Sequence, residues 1–124
     1  MTVERDRPEV VAEVAAAFEA YEQALVDNDV EGMLGFFADR AVRFGIADQQ
    51  NDIEEQRRWR LAQGPLPPGR RLKETQIQTY GVSTAVVTTL FGYPGSDVVG
   101  RQTQAWARLD EGWRIITAHV SETS

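Results

Sequence analysis

The chain has 124 residues, 42% apolar and 26% charged, enough for one domain with one core and too few for two. Its net charge of −6 argues against nucleic acid as a partner, because a phosphate backbone calls for a basic surface. It contains no cysteine, which removes disulfides, thiolate nucleophiles and cysteine-based zinc sites together.

Apolar residues Val11, Val14, Phe18, Tyr21 and Leu25 recur at helical spacing and predict a helix over 9–27. Pro8 suits its start, where a missing N–H is not felt. Asp29 can cap a short second helix over 30–37. AVRFGI (41–46) alternates as a strand, with Val42 and Phe44 on one side and Arg43 and Gly45 on the other. Asp52 can cap a third helix, IEEQRRWRLA, with Glu54 and Glu55 well placed in its first turn. GPLPPG (64–69) is a hard stop and a loop. Four β-rich runs follow at 71–80, 83–93, 99–109 and 112–121, separated by hairpin turns. Helices first and an antiparallel sheet afterwards is an α+β layout. One domain over 1–124 is expected, with a curved sheet wrapped round the first helix and a pocket between them.

No apolar run approaches the ~20 residues that span a bilayer. The charged opening MTVERDRPEV lacks the apolar stretch of a secretory signal. A cytoplasmic protein without membrane or nucleic-acid partners is expected. Twelve of the thirteen basic residues are Arg, and Arg57, Arg58, Arg60, Arg70 and Arg71 fall within fifteen residues. Compositional bias explains this, or a local need for planar carboxylate recognition does.

The element order, the opening YEQALVDNDVEGMLGFFADRAVRFG and the closing GWRIITAHVS resemble the SnoaL-like cone. That superfamily also holds nuclear transport factor 2 and ketosteroid isomerase. FEAYEQALVDND, VRFG, GRQTQAW and GWRIITAHVS, taken in order, resemble the AtzH/HpxZ family, whose members accompany amidases in the breakdown of nitrogen-rich compounds. The resemblance runs from Val10 to Ser121; the segment DQQNDIEEQRRWR, within 48–60, departs from it most. It implies a cofactor-free, amidohydrolase-like enzyme acting on a small carboxylated urea, such as dicarboxyurea going to allophanate with loss of carbon dioxide. It also implies a homodimer and a functional association with an amidase. The family's helix-one tyrosine and strand-one arginine match Tyr21 and Arg43, the expected catalytic pair. Tyr21 also keeps the eight-residue spacing to Asp29 that the oxyanion tyrosine of ketosteroid isomerase keeps to its own acidic turn. The isomerase's carboxylate base falls on Gly45, so isomerisation by that route is not expected. A natural-product cyclase, dehydratase or isomerase is one alternative, and a dimeric carboxylate-binding module without catalysis is another.

Taken residue by residue, Tyr21 reads either as a core tyrosine bonded to a backbone carbonyl or as a phenol aimed at developing negative charge. An inward Arg43 needs an anion, either Asp48 or a glutamate within the protein or a substrate carboxylate, and Gly45 would leave room for a ligand. On strand 99–109, Gln102, Gln104, Trp106 and Arg108 share a face. Gln104 and Trp106 are placed in the pocket wall and Gln102 nearer the rim, where amides can bond both N–H and C=O of a urea. Arg57 and Arg60 are expected to overhang the mouth, or else to form a solvated face paired with Glu54 and Glu55. Trp59 lines the opening or packs on the sheet. On the last strand Ile116, Ala118 and Val120 are expected to look into the pocket. His119, the only histidine, would then lie on the convex face, and His119 with Ser121 makes a poor triad. One histidine and no cysteine leave no evident metal-ligand set.

Overall fold

The computed structural model describes residues 2–123. The elements are α1 (Pro8–Val26), α2 (Val30–Leu34), β1 (Phe37–Phe44), β2 (Gln49–Gln50), α3 (Ile53–Gln63), β3 (Arg71–Tyr80), β4 (Thr84–Gly92), β5 (Val99–Leu109) and β6 (Gly112–Thr123). They form a six-stranded sheet in the order β2-β1-β6-β5-β4-β3. β1 runs parallel to β6 and every other pairing is antiparallel.

Local chemistry sets the helix ends. Pro8 opens α1. After α1 the chain turns through Asn28, in the left-handed region at φ 55°, which asparagine tolerates better than most residues. Asp29 then accepts from the Gly32 N–H at 3.0 Å and caps α2. Asp52 does the same for α3, accepting from the Glu55 N–H at 2.9 Å. The second helix is shorter than its sequence suggests. It stops at Leu34, and Phe37 already lies in β1. The Phe36 carbonyl accepts from the Ile115 N–H at 2.7 Å, so pairing with the last strand claims these residues before another helical turn can form.

The core lies between α1 and the concave face of the sheet. Val10, Val14, Phe18, Tyr21 and Leu25 meet Phe37, Ala85, Val87, Trp106, Trp113 and Ile115 there. Packing of this apolar face, more than helix propensity, holds α1 in place. On β5 Gly100 leaves room for the ring of its cross-strand partner Phe91, which would have to shift for a side-chain carbon placed there, 2.1 Å away.

The last strand departs from simple alternation. Between the Trp106–Ile115 and Ala105–Thr117 pairs, β6 carries one extra residue, Ile116. Such a bulge leaves its residue unpaired and reverses which side chains face inward. Before it, Trp113 and Ile115 are buried; after it, Ala118 is buried and Val120 lines the cavity. Ile116 itself is 42% exposed and is not the inward residue that unbroken alternation predicts. His119 lies on the outer face, with its ring 5.9 Å from that of Phe44. No helix among the described residues is long and apolar enough to cross a membrane.

Candidate active site

A cavity of about 360 Å³ opens between α1, α3, the 64–70 loop and the inner face of the sheet. It falls within the usual range for small-ligand sites. Tyr21, Arg43, Trp59, Arg60, Arg70 and Gln104 contribute its polar or aromatic wall, and Leu25, Leu66 and Val120 its apolar one.

Tyr21 reaches the cavity from the buried face of α1. Its ring packs against Phe18, Phe36 and Phe37. Its hydroxyl makes no hydrogen bond to a side chain or carbonyl among the described residues, and it is not sealed off either. Burial, the leading cause, and the neighbouring Glu22 charge raise its ionisation above the ordinary tyrosine value; Arg60, Arg43 and Arg70 pull the other way. The group at the cavity is therefore a protonated phenol, a hydrogen-bond donor.

Arg43 lies on the inner face of β1 and Phe44 on the outer. Its Nη1 donates to Asp48 at 2.7 Å and to Gln50 at 2.9 Å. Burial works against the Asp48 carboxylate, but the Gln50 amide and the Arg43 charge outweigh it and hold it below the usual range. The space beside Gly45 is not free for a ligand. A side-chain carbon at position 45 would fall 2.3 Å from an Asp48 carboxylate oxygen, so Asp48 fills it. Arg43 has spent one amino group on its own protein, and the rest of its fork remains.

The third helix divides its arginines. Arg60 is 8% exposed and lines the cavity. It shares the Trp59 ring with Arg43, the two guanidinium carbons lying 4.7 and 4.6 Å from the ring centroid. Arg57 does not reach the mouth. It turns to the surface and pairs with Glu31 at 2.8 Å and with Glu54, because these carboxylates draw it away from the side that it shares with Arg60.

On β5, Gln102 and Gln104 line the cavity and Trp106 does not. Trp106 is fully buried in the core, where a large apolar ring gains most. Its indole N–H donates to Gln104 Oε1 at 3.1 Å. Indole can only donate, so this bond fixes the amide and turns the Gln104 Nε2 donor towards the cavity.

Glu22, not expected at the site from its sequence, pairs there with Arg70, one of the clustered arginines. Arg70 Nε donates to Glu22 Oε1 at 2.9 Å, and its terminal nitrogens reach Tyr93 and Gln102. Gln102 returns a bond to Glu22 at 3.3 Å. The guanidinium lies 4.3 Å from the Phe91 ring centroid. A signal was available: Glu22 stands four residues after Phe18, on the buried stripe of α1, and a charge there needs a partner.

A model of the AtzH-like family matches residues 3–124. The chain belongs to the AtzH-like family. A cystatin-like fold protein from Burkholderia xenovorans is similar to this AtzH-like chain at 43% identity, covering 98% of each chain with a TM-score of 0.94. A protein of unknown function in the DUF3225 family, from Pectobacterium atrosepticum, matches at 43% identity over 97% of this chain and 95% of its own, TM-score 0.92. A ketosteroid isomerase-like protein from Erwinia carotovora atroseptica shares the fold at 16% identity, 95% and 99% coverage and TM-score 0.76. No curated protein matches the chain. The AtzH-like chain thus has the cystatin-like, nuclear transport factor 2-like architecture, with helices on a mixed sheet.

Proposed function

We propose that this AtzH-like protein is a small amidohydrolase-like enzyme that cleaves a C–N bond of a carboxylated urea or amide, of the dicarboxyurea-to-allophanate type. One observation carries the reading: an unengaged buried phenol, Tyr21, opens on a cavity walled by three arginines. Such a wall suits a carboxylated ligand, and such a phenol suits an oxygen on which charge builds.

The step balances without a further reactant. The bond between nitrogen and the departing carboxyl carbon breaks and releases carbon dioxide. The electron pair stays on nitrogen and spreads to the urea carbonyl oxygen, where Tyr21 donates. A proton from solvent then reaches nitrogen. Arg43 holds the substrate with the unspent part of its fork, and Gln104 offers a second donor. The product keeps an amide bond that an amidase-type reaction consumes, which supports the functional association with an amidase.

A proton-transfer reaction of the isomerase type is the second reading, because Asp48 puts a carboxylate in the space beside position 45. That carboxylate is bonded to Arg43 and Gln50 and held below the ordinary range, which makes it a weak base. The purified protein should release carbon dioxide from carboxylated ureas. Tyr21→Phe and Arg43→Ala should each lower turnover by at least ~100-fold, the scale of a lost oxyanion donor. Wild-type rates in both variants sink the mechanism, and ligand binding without turnover favours a non-catalytic module.

A further inference from the structure

Three arginines line the cavity, and they are not equivalent. Arg43 is met by Asp48 at 2.7 Å and Arg70 by Glu22 at 2.9 Å. Arg60 has no ion partner among the described residues. Its Nε is sealed from solvent without a hydrogen bond. The terminal nitrogens are not sealed, so the open end of the fork is what Arg60 presents to the cavity. Glu122 also lines the cavity but is exposed.

We propose that Arg60 is the seat of the ligand's carboxylate. The proposal deepens the functional reading above and rests on it only for the class of ligand. A buried charge left without an ion-pair partner is unfavourable. Burial is the leading cause that pushes the Arg60 guanidinium below its ordinary value; Tyr21 and Asp48 pull it back, and the like charges of Arg43 and Arg70 add to the lowering. A carboxylate that spans the two terminal nitrogens relieves all of this at once, in the planar geometry that guanidinium favours. The surroundings fit. Trp59 stacks on the guanidinium, and Leu25, Leu66 and Pro67 supply an apolar rim to the same cavity, which strengthens a charge pair by excluding water. Arg43 and Arg70 carry neutralised charges and serve to position and to build the wall, while the attraction for an anion is concentrated at one residue.

The test uses oxamate, a planar carboxylate–amide with one negative charge, against its neutral ethyl ester, by calorimetry and thermal shift. Oxamate should bind the wild type in preference to the ester. Arg60→Met should weaken oxamate by at least about tenfold, the scale of a charge-assisted hydrogen bond, and leave the ester unchanged. Arg60→Lys, which keeps the charge and loses the fork, should fall between. Arg57→Met should bind oxamate as the wild type does. Without ligand, Arg60→Met should melt no lower than the wild type. The proposal is overturned by wild-type oxamate affinity in Arg60→Met, by equal losses in Arg57→Met and Arg60→Met, or by a wild type that does not distinguish oxamate from its ester. If Arg60→Met is not recovered folded, Arg60→Lys with undiminished oxamate affinity overturns it too. The two readings fail separately. Arg60-dependent oxamate binding without turnover of any carboxylated urea removes the enzyme reading and keeps the seat. Turnover with an unchanged KM in Arg60→Met does the reverse.

Discussion

Arg70 and Arg60 line the same cavity, both buried, and their surroundings are opposite. Arg70 gives bonds to Glu22, Tyr93 and Gln102 and lies over Phe91. Arg60 has a sealed Nε with no acceptor and makes no ion pair among the described residues. One end of the cavity, between α1 and β5, closes on its own charges. The other, along α3, holds a charge that the protein itself does not answer. The difference separates two jobs that residue type alone confuses: a buried arginine that is fully bonded is part of the frame, and one that is not is a place for something else.

Three changes break or sharpen that contrast. The largest effect on stability is expected from Glu22→Ala, which strands Arg70 as an unpaired buried charge. Denaturant unfolding should show a loss of about 3 kcal/mol; a loss near zero would mean that Arg70 is not held as described. Asp48→Asn tests the intermediate case, the pair that is satisfied but stands at the cavity. Because the folded-state value for Asp48 lies below the unfolded value of about 4, the unfolded chain binds more protons as pH falls through that range. The contribution is thus present above pH ~4 and is lost as pH drops through the folded value. Asp48→Asn should cost about 1 kcal/mol near neutrality and flatten this acid limb, read from melting points between about pH 5 and 3. Arg60→Met should show the smallest change and the opposite sign, a stability equal to or above wild type. A marked destabilisation there would place Arg60 with Arg70 in the frame and erase the contrast.

Much of the fold could be read along the chain. Pro8, Asp29 and Asp52 announce three helix starts by chemistry that acts within four residues, and the structure uses all three. The four late strands were legible from their composition and turns. Features that depend on neighbours distant in sequence were not. Phe37 joins a strand because Ile115 is there to pair with it. Trp106 stays in the core rather than on the cavity wall, packed near the Phe36 ring from the other end of the chain. Arg57 and Arg60 look alike in QRRWR, yet Glu31 on another helix draws one of them outward. Arg70 follows a proline-rich loop that reads as a connector. That loop is also part of the cavity wall, through Leu66 and Pro67, a role that no local pattern marks.

The single unpaired residue in β6 decides the identity of a whole segment. Ile116 works as a change of parity: everything after it is counted from a new origin. Were Ile116 paired like its neighbours instead of bulged, strict alternation from Ile115 would pass the inward places held by Ala118 and Val120 to Thr117, His119 and Ser121. An apolar wall would become a polar one bearing an imidazole and two hydroxyls. A one-place slip in pairing, with no substitution anywhere, would rewrite what this side of the cavity can touch, whereas loss of Ile116 alone would leave Ala118 and Val120 facing inward.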